Sequence, residues 1–158
     1  MSFKNYKRRR EGKTDYAKRL EMLKSRQPRL VVRKSNKCVI VQVVEFGEKG
    51  DKTLACANSF DLGKFGFKGA CNSPSAYLVG FLAGKRALKK GVKTFIADIG
   101  LNTPSKGSVV FSAVKGALDA GLGGKMGDVA DLKRIEGKHL SSEVQGSFAD
   151  AKKKIEVD

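Results

Sequence analysis

The side chains of this chain that could support a reaction are its scattered carboxylates. Asp98 falls within an apolar run, Asp119 near a helix end, and Glu45, Glu48, Asp51 and Asp61 near turns. A two-metal nuclease needs several acids converging on its ions, so that attacking and leaving oxygens are both stabilised. None of the strands of the leading hairpin carries the central acid such a centre needs. Catalysis is therefore not expected, and Asp98 and Asp119 read as loop and helix-end hydrogen-bonding groups. His139 is the only histidine, and Cys38, Cys56 and Cys71 are far apart without a C-x-x-C pair. Reduced thiols, with no metal and no cofactor, are the expectation.

Two glycine-containing segments bear on phosphate. Gly80-Phe81-Leu82-Ala83-Gly84-Lys85-Arg86 has three residues between its glycines where a nucleotide-binding P-loop has four, and no Ser or Thr follows its Lys. It also falls inside a helical pattern, so nucleotide binding is not expected. Asp98 to Ser108 differs, because a strand, a polar Gly-containing loop and a helix N-terminus together make an anion site. An RNA backbone phosphate would suit it.

A third segment, Lys7-Arg8-Arg9-Arg10-Glu11-Gly12-Lys13-Thr14-Asp15-Tyr16, has no apolar period that could form a core face. It reads as an extended arm that orders on a polyanion. Guanidinium forks suit phosphate and stack on bases, Thr14 can donate to phosphate, and Tyr6 and Tyr16 offer stacking faces. A solvated charged tail or a localisation signal has the same composition.

The charge distribution favours the polyanion. The 158 residues carry 32 Lys+Arg and 16 Asp+Glu, a formal +16. Residues 1–34 hold thirteen basic and three acidic groups (+10), residues 35–127 thirteen and six (+7), and residues 128–158 six and seven (−1). Such an excess repels itself unless a polyanion neutralises it, which points to nucleic acid. No stretch approaches the roughly 18 to 20 apolar residues that span a bilayer. Met1 to Arg10 is charged where a signal peptide would be apolar, so neither membrane nor secretion is expected.

The elements that must position these groups follow from periodicity. Ala17, Leu20 and Leu23 permit a short helix from Thr14 or Asp15 to about Ser25. Leu30 to Lys34 and Val39 to Val44 are β-branched runs joined by Ser35-Asn36-Lys37, a hairpin signal, and Lys52 to Ser59 supplies a third strand after the turn Gly47 to Asp51. Ser73 and Pro74 read as an N-cap and first helical position, with Tyr77, Phe81, Gly84 and Leu88 at helical spacing up to Gly91. Gly80 and Gly84 cost helix stability, so close packing against the sheet is their expected use. Thr94 to Ile99 reads as a buried strand, and Val110, Phe111, Val114, Ala117 and Leu118 as a helix stopped by Gly121. The reading is an α/β fold with a mixed sheet, three antiparallel strands and then α-β-α. Beyond Gly123, one or two short peripheral helices are expected, with possible caps at Ser142 and Ser147. The segments are a basic arm and short helix (1–27), an α/β domain (28–122) and a tail (123–158).

With these residues in view, the chain resembles ribosomal protein eighteen of the large subunit in its archaeal form, the relative of eukaryotic large-subunit protein five. The resemblance runs from about Tyr6 to Leu122. It is carried by Arg8 to Tyr16, by Pro28-Arg29-Leu30-Val31-Val32-Arg33-Lys34-Ser35-Asn36-Lys37, by Asn72 to Leu78 and by Asp98-Ile99-Gly100-Leu101-Asn102. It implies a structural, non-enzymatic protein of the cytoplasmic large ribosomal subunit. This family binds 5S rRNA and docks it with 23S rRNA in the central protuberance, near a member of the ribosomal protein five family. The implied fold is the ribonuclease-H-like motif of translational machinery components, without that enzyme's metal site. The implied RNA contacts are Lys7, Arg8, Arg9, Arg10, Lys13, Thr14, Tyr16 and Arg19 in the arm, and Arg29, Arg33, Lys34, Ser35, Asn36 and Lys37 in the hairpin. Asn102, Lys106 and Ser108 are the implied contacts in the later loop. The match weakens after Leu122, where the family continues with an apolar residue, Pro and His and this chain has Gly123-Gly124-Lys125-Met126. A non-ribosomal RNA-binding protein or chaperone of low specificity has the same electrostatics.

Overall fold

A computed structural model describes residues 6–157. The first five residues of the expected arm, and Asp158, lie outside the described residues. In chain order the elements are α1 (Lys7–Arg10), α2 (Tyr16–Lys24), β1 (Arg29–Lys34), β2 (Val39–Glu45), β3 (Lys52–Asn58), a 3-10 turn (Asp61–Phe65), α3 (Ser73–Lys89), β4 (Ile96–Asp98), α4 (Val109–Asp119), α5 (Leu132–Ile135) and α6 (Ser142–Val157).

The sheet is mixed and four-stranded, in the order β3-β2-β1-β4. The β1–β2 hairpin pairs Arg29 with Val44 and Lys34 with Val39, closed at its turn by the Ser35 N–H donating to the Cys38 carbonyl at 2.8 Å. β3 adds antiparallel to β2 with a bulge between Val43 and Val44, and β4 adds parallel to β1, setting Val31 beside Asp98. Side chains alternate between sheet faces. Leu30 and Val32, with Val39, Val41, Val43 and Ala57, turn to the helices and are fully buried. Arg29, Val31 and Arg33 turn the other way, opposite Val44, Gln42 and Ile40.

α3 is buried almost all round, from Ser73 to Gly84 and again at Ala87, as a helix must be when covered on several sides. Its N-cap is Asn72, whose side chain accepts from the Ser75 N–H at 3.0 Å, so Ser73 is the first helical residue and not the cap. Gly80 and Gly84 pack against α4, not against the sheet. A Cβ on Gly80 would lie 1.9 Å from the Ala113 carbonyl oxygen, and one on Gly116 of α4 would lie 2.1 Å from the Tyr77 carbonyl oxygen. Only glycine at these positions allows the two backbones to meet.

Three further segments depart from the sequence reading. The arm is not extended, since residues 7–10 form a helical turn and the chain doubles back to α2. Arg8 Nε donates to Thr14 Oγ1 at 2.9 Å, Lys13 pairs with Glu11 at 2.9 Å, and the Tyr6 and Tyr16 rings lie 5.4 Å apart. β4 is shorter than expected, because Thr94 and Phe95 leave β1 to bridge Gly123, the Phe95 N–H donating to its carbonyl at 2.9 Å. The tail is neither short nor peripheral in its last helix. α6 runs sixteen residues and buries Phe148, Ala151 and Ile155 in the common core. Ser147 lies inside it, its hydroxyl donating to the Val144 carbonyl at 3.0 Å, and caps nothing. No helix among the described residues is long and apolar enough to cross a membrane.

Candidate nucleic-acid interface

The sheet face that the main helices leave open is partly covered by the arm and α2. Asp15 caps α2 by accepting from the Ala17 and Lys18 N–H groups at 3.0 and 3.1 Å. α2 buries no residue fully, and its apolar contact is limited to the half-buried Tyr16, Met22 and Leu23. It is tied to the sheet by charge, Arg19 Nη2 reaching Asp51 Oδ2 at 2.8 Å. Between arm, helix and sheet lies a cleft of about 970 Å³. Its basic lining is Arg8, Lys13, Lys18, Arg19, Arg29 and Arg33, and Val31, Gln42 and Val44 form part of its floor.

A ladder of alternating charges crosses that floor. Asp51 Oδ2 accepts from Arg29 Nη2 at 2.6 Å as well as from Arg19, and Arg29 Nη1 donates to Asp98 Oδ2 at 2.9 Å. Asp98 Oδ1 then accepts from Arg33 Nη2 at 2.9 Å, while Arg33 Nη1 donates to the Val32 and Asp98 carbonyls. Gly100, at φ +63°, lets the backbone pass beneath this guanidinium, since a Cβ there would lie 2.9 Å from Arg33 Cζ. Three cations against two anions leave the ladder net positive. The Arg29 side chain is 6% exposed and that of Arg33 47% exposed, so the inner guanidinium is structural and the outer one can meet a ligand.

The expected contact residues are thus divided. Arg8, Lys13, Thr14, Arg19, Arg29, Arg33 and Asn102 share the cleft. Within it the Asn102 amide donates to the Ile99 carbonyl at 2.7 Å and closes its own loop. Lys7, Arg9 and Arg10 are exposed on α1, and Tyr16 opens α2 against Tyr6. Lys34, Asn36 and Lys37 are exposed at the hairpin tip, outside the cleft, whereas the Ser35 hydroxyl is engaged by the Lys37 and Cys38 N–H groups. Lys106 pairs with Asp128 at 3.6 Å, and the Ser108 hydroxyl oxygen is buried with no hydrogen-bond partner among the described residues.

Sequence reasoning covered Lys18 only as part of the arm from Lys7 to Arg19 without singling it out, and it missed the pairing roles of Asp51 and Asp98. The period of two that puts Arg29, Val31 and Arg33 on one face was the available signal. It does not say which acids face them. Asp119, by contrast, serves as a hydrogen-bonding group near a helix end, accepting from the Tyr77 hydroxyl at 2.9 Å and pairing with Lys115 at 2.9 Å.

Fold and cleft together define a basic α/β protein whose open sheet face carries a charged floor of arginine–carboxylate pairs. Residues 2–95 match the family of ribosomal large subunit proteins 60S L5 and 50S L18. The chain is 54% identical over 139 residues to the large ribosomal subunit protein uL18 of Ignicoccus hospitalis, covering 86% of this chain and 68% of that one. To uL18 of Sulfurisphaera tokodaii it is 50% identical over 143 residues (89% and 73%), and to uL18 of Haloarcula marismortui 51% over 138 residues (85% and 74%). The chain belongs to this family of large-subunit ribosomal proteins, which are structural constituents and not enzymes.

Proposed function

We propose that this protein binds 5S rRNA and helps attach it to 23S rRNA in the central protuberance of the cytoplasmic large ribosomal subunit, beside a ribosomal protein five family member. The observation that carries the reading is the cleft between arm, α2 and open sheet face, which gathers Arg8, Lys13, Lys18, Arg19 and Arg33. Phosphate contacts from such groups supply the sequence-independent part of affinity. Lys7, Arg9, Arg10, Thr14 and Tyr16 extend this surface along the arm, and Lys34, Asn36 and Lys37 extend it at the hairpin tip. Arg29 and Ser35 act from within by holding their neighbours. Asn102, Lys106 and Ser108 form a second RNA-facing loop. We read the β1–β3 meander followed by α3, β4 and α4 as the ribonuclease-H-like motif of translational machinery components, with 28–122 as the RNA-binding domain, 1–27 as its arm and 123–158 as its tail.

The test is binding of the full chain to 5S rRNA across a range of salt. Deleting residues 1–14 should flatten the slope of log affinity against log salt, by roughly one for each phosphate contact removed, while the domain stays folded. Unchanged affinity and slope would overturn the assignment of the arm. Equal displacement of 5S rRNA by tRNA and duplex DNA would instead support an RNA chaperone of low specificity.

A further inference from the structure

Asp51 presents a contradiction for a polyanion-binding surface, because it puts a carboxylate in the wall of the cleft that is proposed to hold RNA. Its side chain is 24% exposed, and its Oδ2 takes Nη2 of both Arg19 and Arg29, at 2.8 and 2.6 Å. On simple electrostatics such a group repels the ligand, and its removal should tighten binding. The geometry points the other way. α2 has nine residues and none of them is fully buried, so neither intrinsic helix stability nor the half-buried Met22 and Leu23 alone fix it over the sheet. The Arg19–Asp51 pair joins this helix to the body of the domain, and Arg29 in turn anchors Asp51 to the buried Asp98.

We infer that Asp51 is a positioning residue for RNA binding, a latch that holds α2 and the arm over the open sheet face and aims the Arg19 guanidinium into the cleft. The inference rests on the RNA-binding reading of that cleft. Its consequence is an inverted sign, since removing a negative charge from this basic surface weakens its hold on a polyanion. The ladder beyond Asp51 remains intact without it, because Arg29 keeps its bond to Asp98, so the effect is on the latch more than on the sheet.

The experiment compares wild type, Asp51→Asn, Asp51→Glu and Glu48→Gln for 5S rRNA affinity, with thermal unfolding of each recorded. Glu48 is exposed in the same turn and serves as the charge-matched control. Asp51→Asn should weaken binding roughly tenfold, the scale of one charge-assisted contact, and Asp51→Glu should recover part of the loss. Glu48→Gln should bind as well as wild type or better. Asp51→Glu leaves the charge of the surface unchanged and alters only the geometry of the pair with Arg19, so a loss of binding in it reads the latch even if Asp51→Asn folds poorly. Arg19→Gln, which removes the latch together with a cleft cation, supplies the background for a double-mutant cycle. In that background Asp51→Asn should cost much less than in wild type. Binding by a folded Asp51→Asn as tight as wild type, or additive losses in the double variant, would overturn the inference while leaving the RNA reading intact. A wild-type chain that fails to bind 5S rRNA would overturn both.

Discussion

The Arg29 guanidinium and the Asp98 carboxylate meet at 2.9 Å on adjacent parallel strands with 6% and 5% of their side chains exposed. A buried pair of this kind contributes little net stability when complete, but breaking it leaves a stranded charge. Asp98→Asn should therefore destabilise the fold by about 3–5 kcal/mol. At roughly 2–4 °C per kcal/mol for a domain of this size, the melting temperature should fall by about 10 °C. Urea unfolding measures this directly, and a loss below about 1 kcal/mol would show that the pair is dispensable.

Two glycine-to-alanine changes within helices should have opposite signs. Gly146 lies in α6 with nothing within 4 Å of an added Cβ, so Gly146→Ala should stabilise by about 0.5–1 kcal/mol through helix propensity. Gly80→Ala meets the α4 backbone and should instead cost about 1–3 kcal/mol or more as α3 and α4 are forced apart. Matched denaturation curves decide, and a neutral Gly80→Ala would contradict the close crossing.

Tyr77 links pH to stability. Burial is the main cause that pushes its hydroxyl well above the ordinary tyrosine value, and the hydrogen bond to Asp119 adds to it. A raised pKa in the folded state means that the unfolded chain ionises first. The contribution is fully present below the unfolded value near 10 and is lost as pH rises beyond it. Wild type should lose stability with rising pH above about 10 in excess of Tyr77→Phe, and the ultraviolet signature of tyrosinate from Tyr77 should appear only with unfolding. Identical pH dependences in the two proteins would remove this coupling.

The strands were readable because alternation is a local property, and the Ser35–Lys37 turn followed from two β-branched runs on either side of it. The same periodicity put Arg29 and Arg33 on one face. It could not reveal that Asp98, 69 residues from Arg29, supplies their counter-charge, since that depends on β4 joining β1 in parallel. Gly80 and Gly84 signalled a close approach without naming the neighbour, which is α4. The length and burial of α6 escaped notice, though a short helix was expected there, because its stripe is narrow, with Phe148, Ala151 and Ile155 set among charges and next to Gly146. The arm's helical turn depends on the Arg8–Thr14 and Tyr6–Tyr16 contacts, which have no periodic signature.

Lys18 supplies the last prediction, because the structure singles it out within the arm from Lys7 to Arg19, where sequence reasoning did not name it individually. It follows the cap Asp15 on α2, is exposed, and lines the cleft with Arg8 and Arg19. Lys153 is also exposed, but it lies on α6, which packs on α3 behind the helix-covered face of the sheet. The two residues carry the same charge and contribute equally to the net +16. Binding governed by net charge alone would respond alike to Lys18→Gln and Lys153→Gln. Binding in the cleft responds only to the first, with the salt slope for 5S rRNA falling by about one and affinity dropping severalfold. Titrations of both variants at several salt concentrations separate the cases. Equal slopes for the two would place the RNA elsewhere on the protein.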